Sequence, residues 1–371
     1  MNRLILIALS MFFVATGVID SRLSAQPKPE AKSPIKSDEM VIFYPTLGWR
    51  VDETLNSDWE IEIHGCIFEP GNSSNGLKFL RELTGIDIKK LTPEELNLFG
   101  QRAELFAVDH ERDKAVPVQI GGRAITLPES EANGHFQGRI RLTDAEVKAA
   151  TGGKFGELSV AAILRPDDSR TMMGTVHLVP RSPMVHIVSD IDDTIKISQV
   201  RDKSELLWNT FCRPFRPAPG MADLYRSWAA DDVRFHYVSA SPWQLYSPLA
   251  VFISEHEFPA GSFHMKHFRL QDRTVLNLFG SQEGYKRSVI EPLLKQFPND
   301  RFVLVGDTGE QDPKIYAGLA RDYPQVSRIF IRNVTHEGTE SYRETFKGLP
   351  ANRWQLFRET SEIKVSLKDL H

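Results

Sequence analysis

Carboxylates crowd the stretch Ser189-Asp190-Ile191-Asp192-Asp193-Thr194, which directly follows the apolar run Val185-His186-Ile187-Val188. Two more apolar runs end in a related way. Phe235-His236-Tyr237-Val238 leads into Ser239-Ala240-Ser241, and Phe302-Val303-Leu304-Val305 leads into Gly306-Asp307-Thr308-Gly309-Glu310-Gln311-Asp312. Between these two, Lys286 opens a helix-like stretch. Carboxylates, hydroxyls and an ammonium in this combination suit phosphoryl transfer. A phosphate ester repels an anionic attacker, so a carboxylate can attack only where a divalent cation and cationic side chains neutralise the charge around phosphorus. Mg²⁺ takes oxygen ligands, and one or two carboxylates together with phosphate and water satisfy it. An Asp-rich loop on its own is more commonly a solvated turn. Three further motifs in order behind it reverse that reading.

The elements that must position these residues follow from hydrophobic pattern. After Pro183, short continuous apolar runs, the three above and Ile329–Ile331, alternate with helix-like stretches such as Val289–Gln296 and Pro313–Arg321. Strands without polar alternation, separated by helices, indicate a parallel sheet covered on both faces. Ligands of such sheets sit at the carboxyl ends of strands, where the chemistry-bearing residues fall. Between Glu39 and Pro180 the period is instead two: Trp59, Ile61 and Ile63 alternate with Glu60, Glu62 and His64, and Phe136, Ile140 and Leu142 with Gln137, Arg139 and Arg141. Capping boxes announce two helices, Thr92-Pro93-Glu94-Glu95 and Thr143-Asp144-Ala145-Glu146, the second stopped by Gly152-Gly153. The expected fold class is therefore α/β, a parallel sheet preceded by a smaller β-rich, sandwich-like domain. That first module shows no catalytic constellation, and its charge run Asp109–Asp113 reads as a solvated turn.

The start of the chain has a different character. Met1-Asn2-Arg3, the apolar run Leu4–Ile19 and the small residues Ser24-Ala25 describe a secretory signal, with an uncleaved anchor as the alternative because Leu23 suits a cleavage site poorly. The Pro- and Lys-rich stretch that follows reads as a linker. The organisation expected is a signal over 1–25, a linker over 26–38, the β-rich domain over 39–182 and the catalytic domain over 183–371, in an exported protein. Hydrophobic residues at 41% and charged residues at 25% exclude a largely disordered chain, and a net charge of -4 argues against nucleic acid as a partner. Cys66 and Cys212 are the only cysteines, too few for a disulfide framework, and read as free buried thiols. His264 and His267, three apart, carry the spacing of zinc ligands, but no cysteine or further histidine lies near them in the sequence. Packing or surface roles fit them better.

The four motifs resemble the haloacid dehalogenase superfamily. Longer stretches, Ser189–Lys196, Pro219-Gly220-Met221, Tyr237–Tyr246, Phe258–Phe263 and Gly306–Pro313, resemble the phosphatidate phosphatases of the actin-patch-protein type, over Met184 to about Asn333. The resemblance implies a Rossmann-like parallel sheet and a Mg²⁺-dependent phosphatase. Asp190 is then the nucleophile and, with Asp307 and the backbone carbonyl of Asp192, a metal ligand. Asp192 serves as general acid and then general base, and its presence marks a phosphatase rather than a dehalogenase. Ser239 and Lys286 hold the transferring oxygens, with Lys266 a competitor for the cationic role. Thr194 steadies the loop, and Asp312 orients Lys286 or a metal-bound water. The implied substrate is phosphatidate, cleaved to diacylglycerol and phosphate, with peripheral membrane contact. Ser241, Trp243 and Tyr246 follow the phosphate-holding Ser239. Arg213 and Arg216 belong to an aromatic and cationic segment, Ile197 to Val233, which reads as a cap suited to a lipid phosphate or equally as a packed flap. The alternatives are a phosphatase of a soluble phosphomonoester and a non-catalytic binding protein on a phosphatase scaffold.

Overall fold

A computed structural model describes residues 33–52, 56–71, 73–180, 183–230, 233–267, 282–365 and 367. The expected signal, and the linker up to residue 32, lie outside them. No helix among the described residues is long and apolar enough to cross a membrane.

The first half contributes strands β1 (Met40–Tyr44), β2 (Thr46–Arg50), β3 (Trp59–Glu69), β4 (Asp109–His110), β5 (Ala115–Ile120), β6 (Arg123–Glu129), β7 (His135–Leu142), β8 (Glu157–Ala162) and β9 (Met173–Val179). They form one sheet in the order β1-β3-β2-β9-β8-β5-β6, with β4 and β7 also paired to β3. The long β3 organises it. Its apolar residues Trp59, Ile61 and Ile63 are buried, and it pairs with β1 and β2 as well as β7 and β4. Every pairing is antiparallel except β2 with β9. Helices α1 (Ser73–Thr84), α2 (Pro93–Glu104) and α3 (Asp144–Thr151) accompany this sheet. The two predicted capping boxes are formed, at Thr92 with Glu95 and at Thr143 with Glu146, and Gly152 ends α3 at φ 60°. A left-handed stop of that kind favours glycine, which has no Cβ to clash.

The second half contributes β10 (Val185–Ser189), β11 (Arg234–Pro242), β12 (Gly261–Lys266), β13 (Arg301–Asp307), β14 (Val326–Arg332) and β15 (Trp354–Phe357). All are parallel, in the order β12-β11-β10-β13-β14-β15. Helices α4 (Lys203–Phe211), α5 (Met221–Ala229), α6 (Tyr246–Glu255), α7 (Gln282–Gln296) and α8 (Asp312–Asp322) alternate with them. Val185, Ile187, Val188 and Phe302–Val305 are fully buried, as continuous apolar runs require.

The observed architecture differs from the expected one. Among the described residues the fold is mixed α/β on two separate sheets, a curled, mixed nine-stranded sheet and an all-parallel six-stranded one. It is not a Rossmann-like haloacid dehalogenase sheet with a smaller sandwich before it. The physical reason is that period-two alternation reports a strand with one buried face and nothing more. Two facing sheets and one curled sheet give the same pattern. Apolar runs likewise report burial on both faces but not how many strands join them.

One core spans both halves: Tyr44, Cys66, Leu80 and Phe99 cluster with Val185, Ile187, Tyr237 and Trp243. Phe263 N–H of β12 donates to the Pro45 carbonyl between β1 and β2 at 3.1 Å. The parallel sheet also buries a polar chain. The rings of His186 and His236 share a hydrogen bond of 2.8 Å, His186 reaches Asp300 at 2.8 Å, His236 reaches Ser262 at 2.8 Å, and Ser262 reaches His264 at 3.0 Å.

Candidate active site

Three adjacent strands deliver the chemistry. β10 ends one residue before Asp190, β11 runs through Ser239 and Ser241, and β13 ends on Asp307. Since β10 lies between β11 and β13, their carboxyl ends bring these residues together. Asp190 N–H donates to the Val305 carbonyl at 2.9 Å, tying the loop to β13. Behind it, Gly306 is required by space: a Cβ there would meet the Asp312 carboxylate at 2.3 Å.

Two charged clusters result, of opposite character. In the first, the buried Lys286 ammonium lies 2.8 Å from Asp190 Oδ1, 2.5 Å from Asp312 Oδ1 and 3.2 Å from Glu310 Oε2. Thr194 Oγ1 donates to Asp190 Oδ2 at 2.9 Å and reaches Asp307 Oδ2 at 3.4 Å. Asp312 Oδ2 accepts the Asp307 N–H at 3.2 Å. Four carboxylates thus face one ammonium. Burial pushes the Asp190 carboxyl up to about 7, Lys286 opposing and Glu310 and Asp192 adding to the rise. Burial and the charges of Asp312, Glu310 and Asp190 likewise hold Asp307 well above the usual carboxylate range. Burial alone would lower Lys286, but Asp190, Asp312 and Glu310 outweigh it and hold its ammonium well above its ordinary value.

In the second cluster, Asp192 Oδ1 lies 2.7 Å from Lys196 Nζ and accepts from Ser198 Oγ at 2.6 Å. Its Oδ2 accepts from Ser239 Oγ at 3.2 Å and from Ser241 Oγ at 3.1 Å. Burial would raise this carboxyl, yet Lys196 and the hydroxyls outweigh it and hold Asp192 below the ordinary range. Neighbouring carboxyls with environments that push them apart are the usual basis for dividing catalytic roles.

The first cluster has the composition of a divalent-cation site. Oxygens of Asp190, Asp307 and Glu310 lie within 4.8 Å of one another. They are hard oxygen donors, from more carboxyls than the one ammonium of Lys286 can balance, which suits a hard cation.

The other predicted residues fall elsewhere. Arg213 bonds Glu205 at 2.6 Å and Asn209 at 3.2 Å, and its guanidinium lies 5.4 Å from the Trp208 ring centre. Arg216 is exposed, its carbonyl accepting from Ile197 N–H at 2.9 Å. Trp243 and Tyr246 join an aromatic layer, their ring centres 4.0 and 4.9 Å from that of Tyr44. Lys266 ends β12, and the ammonium beside Asp190 is that of Lys286.

Sequence reasoning gave no role to Lys196, Ser198 or Glu310, all inside or beside the quoted motifs. The usable signal was Lys196 four residues after Asp192. Asp193 proves to be the brace of the loop. At φ 54° it accepts the backbone N–H groups of Ser198, Gln199 and Val200 at 2.8, 2.8 and 2.7 Å. Asp193→Ala is expected to destabilise the fold by about 2–4 kcal/mol, from orphaned donors plus an alanine in a left-handed conformation. Urea unfolding measures this, and a loss below about 1 kcal/mol would mean that water replaces the carboxylate freely.

Residues 185–333 match the family described as "Phosphatidate phosphatase APP1, catalytic domain". The chain is 33% identical over 153 residues to Phosphatidate phosphatase APP1 of Saccharomyces cerevisiae, which covers 40% of this chain and 26% of that protein. It is 31% identical over 191 residues to an uncharacterized protein of Schizosaccharomyces pombe, covering 49% of this chain and 31% of that protein. The resemblance to an actin-patch-protein catalytic segment is thereby borne out. The matches span about a third or less of the curated relatives' length. Among solved structures, a mutant ferredoxin-NADP+ reductase of Plasmodium falciparum aligns over 81% of this chain and 98% of its own at 8% identity, with a TM-score of 0.19.

Proposed function

We propose that this chain is a Mg²⁺-dependent phosphatase that works through a phosphorylated Asp190 and hydrolyses phosphatidate to diacylglycerol and phosphate. The observation that carries the reading is the setting of Asp190, at the end of a buried strand, 2.8 Å from Lys286, within a group of oxygen donors fit for a cation. It lies inside the segment that matches a phosphatidate phosphatase catalytic domain.

Asp190 and Asp307 would hold the ion, with Glu310 in reach, and Mg²⁺ when bound supplies neutralising charge to the phosphoryl oxygens. Asp190 attacks phosphorus in line, its bond to phosphorus forming as the bond to the leaving oxygen breaks. Asp192 gives that oxygen a proton. In the second half it takes a proton from the water that attacks phosphorus, and the Asp190–phosphorus bond breaks to release phosphate. Lys196 holds Asp192 ionised before substrate binds. The arriving phosphate, a like charge, shifts it toward the neutral acid that the first half needs. Ser239 and Ser241 fix the oxygen that exchanges the proton. The signal-like run at the start supports an exported enzyme that meets its lipid at a membrane surface.

Purified protein is expected to release phosphate from phosphatidate in detergent micelles with Mg²⁺, and to lose at least about 100-fold of that rate with chelator. Release from a soluble aryl phosphate but not from the lipid would move the substrate to a soluble phosphomonoester. Release from neither would favour a binding protein.

A further inference from the structure

We propose a second metal site, for a borderline transition-metal ion of the zinc class, formed by His64, His135 and His267 where the two sheets meet. The site stands apart from the phosphatase reading, and neither depends on the other. His64 lies on β3 and His135 on β7, while His267 directly follows β12 of the parallel sheet. One ring nitrogen from each lies within 4.8 Å of the other two. His64 Nε2 is 3.0 Å from His135 Nδ1. Two nitrogens on one tetrahedral zinc stand about 3.3 Å apart, given bonds of about 2.0–2.1 Å. The pair therefore needs to open by only a few tenths of an ångström.

The frame is rigid. His135 stands opposite Cys66 in the β3–β7 register, which makes His64 its diagonal neighbour on the same face. Tyr44, opposite His64 on β1, packs on both rings, with centres 4.8 and 5.6 Å away. Trp243 completes the wall, its ring 4.8, 6.1 and 6.4 Å from His64, His135 and His267. The Trp243 indole N–H beside the cluster is itself buried without a hydrogen-bond partner. His64 and His135 are buried, whereas His267 is exposed and leaves a way in from solvent. Burial also keeps the first two imidazoles neutral at physiological pH, the form that binds metal.

Chemistry separates this site from the first. Three imidazoles and no carboxylate select zinc, cobalt, nickel or copper, whereas Asp190, Asp307 and Glu310 are oxygen donors suited to Mg²⁺. Three protein ligands also leave a zinc ion one open position.

The full chain, stripped with chelator and then saturated with Mg²⁺ to fill the carboxylate site, is titrated with Zn²⁺ by calorimetry and with Co²⁺ by visible absorption. One equivalent of each is expected to bind, Co²⁺ with the intense band of tetrahedral coordination. His267→Ala, at an exposed position, should fold normally and weaken binding by more than the roughly 10–100-fold that loss of an outer-shell partner costs. His135→Gln should do the same, and Asp190→Asn should leave binding unchanged. No Zn²⁺ uptake in the presence of Mg²⁺ would overturn the proposal. So would uptake that survives His267→Ala, or that disappears with Asp190→Asn.

Discussion

Asp190→Asn is expected to lower phosphate release by about four orders of magnitude or more, the scale on which loss of a nucleophile is felt. The amide keeps the shape of the side chain and its place beside Thr194 and Lys286, but it cannot form an acyl phosphate. The same change removes one negative charge from a cluster in which four carboxylates face one ammonium. In chelator the variant should therefore melt no lower than wild type. The two measurements together separate chemistry from folding. A variant that melts like wild type and still turns over at the wild-type rate would remove Asp190 from the role of nucleophile, whatever the substrate.

Lys286→Met should damage catalysis less than Asp190→Asn and the fold far more. The ammonium is fully buried and is the direct partner of Asp190, Asp312 and Glu310. Removing one side of a buried ion pair leaves charge without compensation and costs about 3–5 kcal/mol. Activity should fall by about 10²–10³-fold, the scale for loss of a group that stabilises charge in a transition state. A double variant, Lys286→Met with Asp312→Asn, should recover part of the stability and none of the activity. Non-additivity of that kind marks groups in one network. Full stability of the single variant in chelator would show that the cluster does not depend on Lys286 for its charge balance.

Local signals in the chain are legible because the physics behind them is local. A threonine three residues before a glutamate makes a capping box wherever a helix starts, and Thr92 and Thr143 do so here. The Asp190 loop was legible for a related reason, since an apolar run fixes a strand and the next residue must sit at its end. Partner choice among strands is a non-local matter. Nothing in Trp59–Glu69 says that one strand will pair with β1, β2, β4 and β7, so the curled sheet was out of reach. Lys196 shows a third case. Its charge was visible, but only the fold reveals that it is buried and spent on Asp192. The histidines show the same limit more sharply. The chain pairs His267 with His264 by spacing, but the fold sets it instead beside His64 and His135, which two strands of the other sheet supply.

The buried polar chain through the parallel sheet bears on how the strands find their alignment. Val185-His186-Ile187-Val188 and Phe235-His236-Tyr237-Val238 are covered on both faces, and an apolar strand can slide past its neighbour and still bury grease against grease. Asp300, His186, His236, Ser262 and His264 meet in a single alignment. A slip by two residues would keep every hydrophobic contact plausible while stranding imidazoles away from water without partners, at about 1–3 kcal/mol for each orphaned group. The chain of hydrogen bonds thus acts as a key cut for one lock. It makes misaligned sheets unstable, and so fixes where the ends of β10 and β11, and with them Asp190 and Ser239, come to rest.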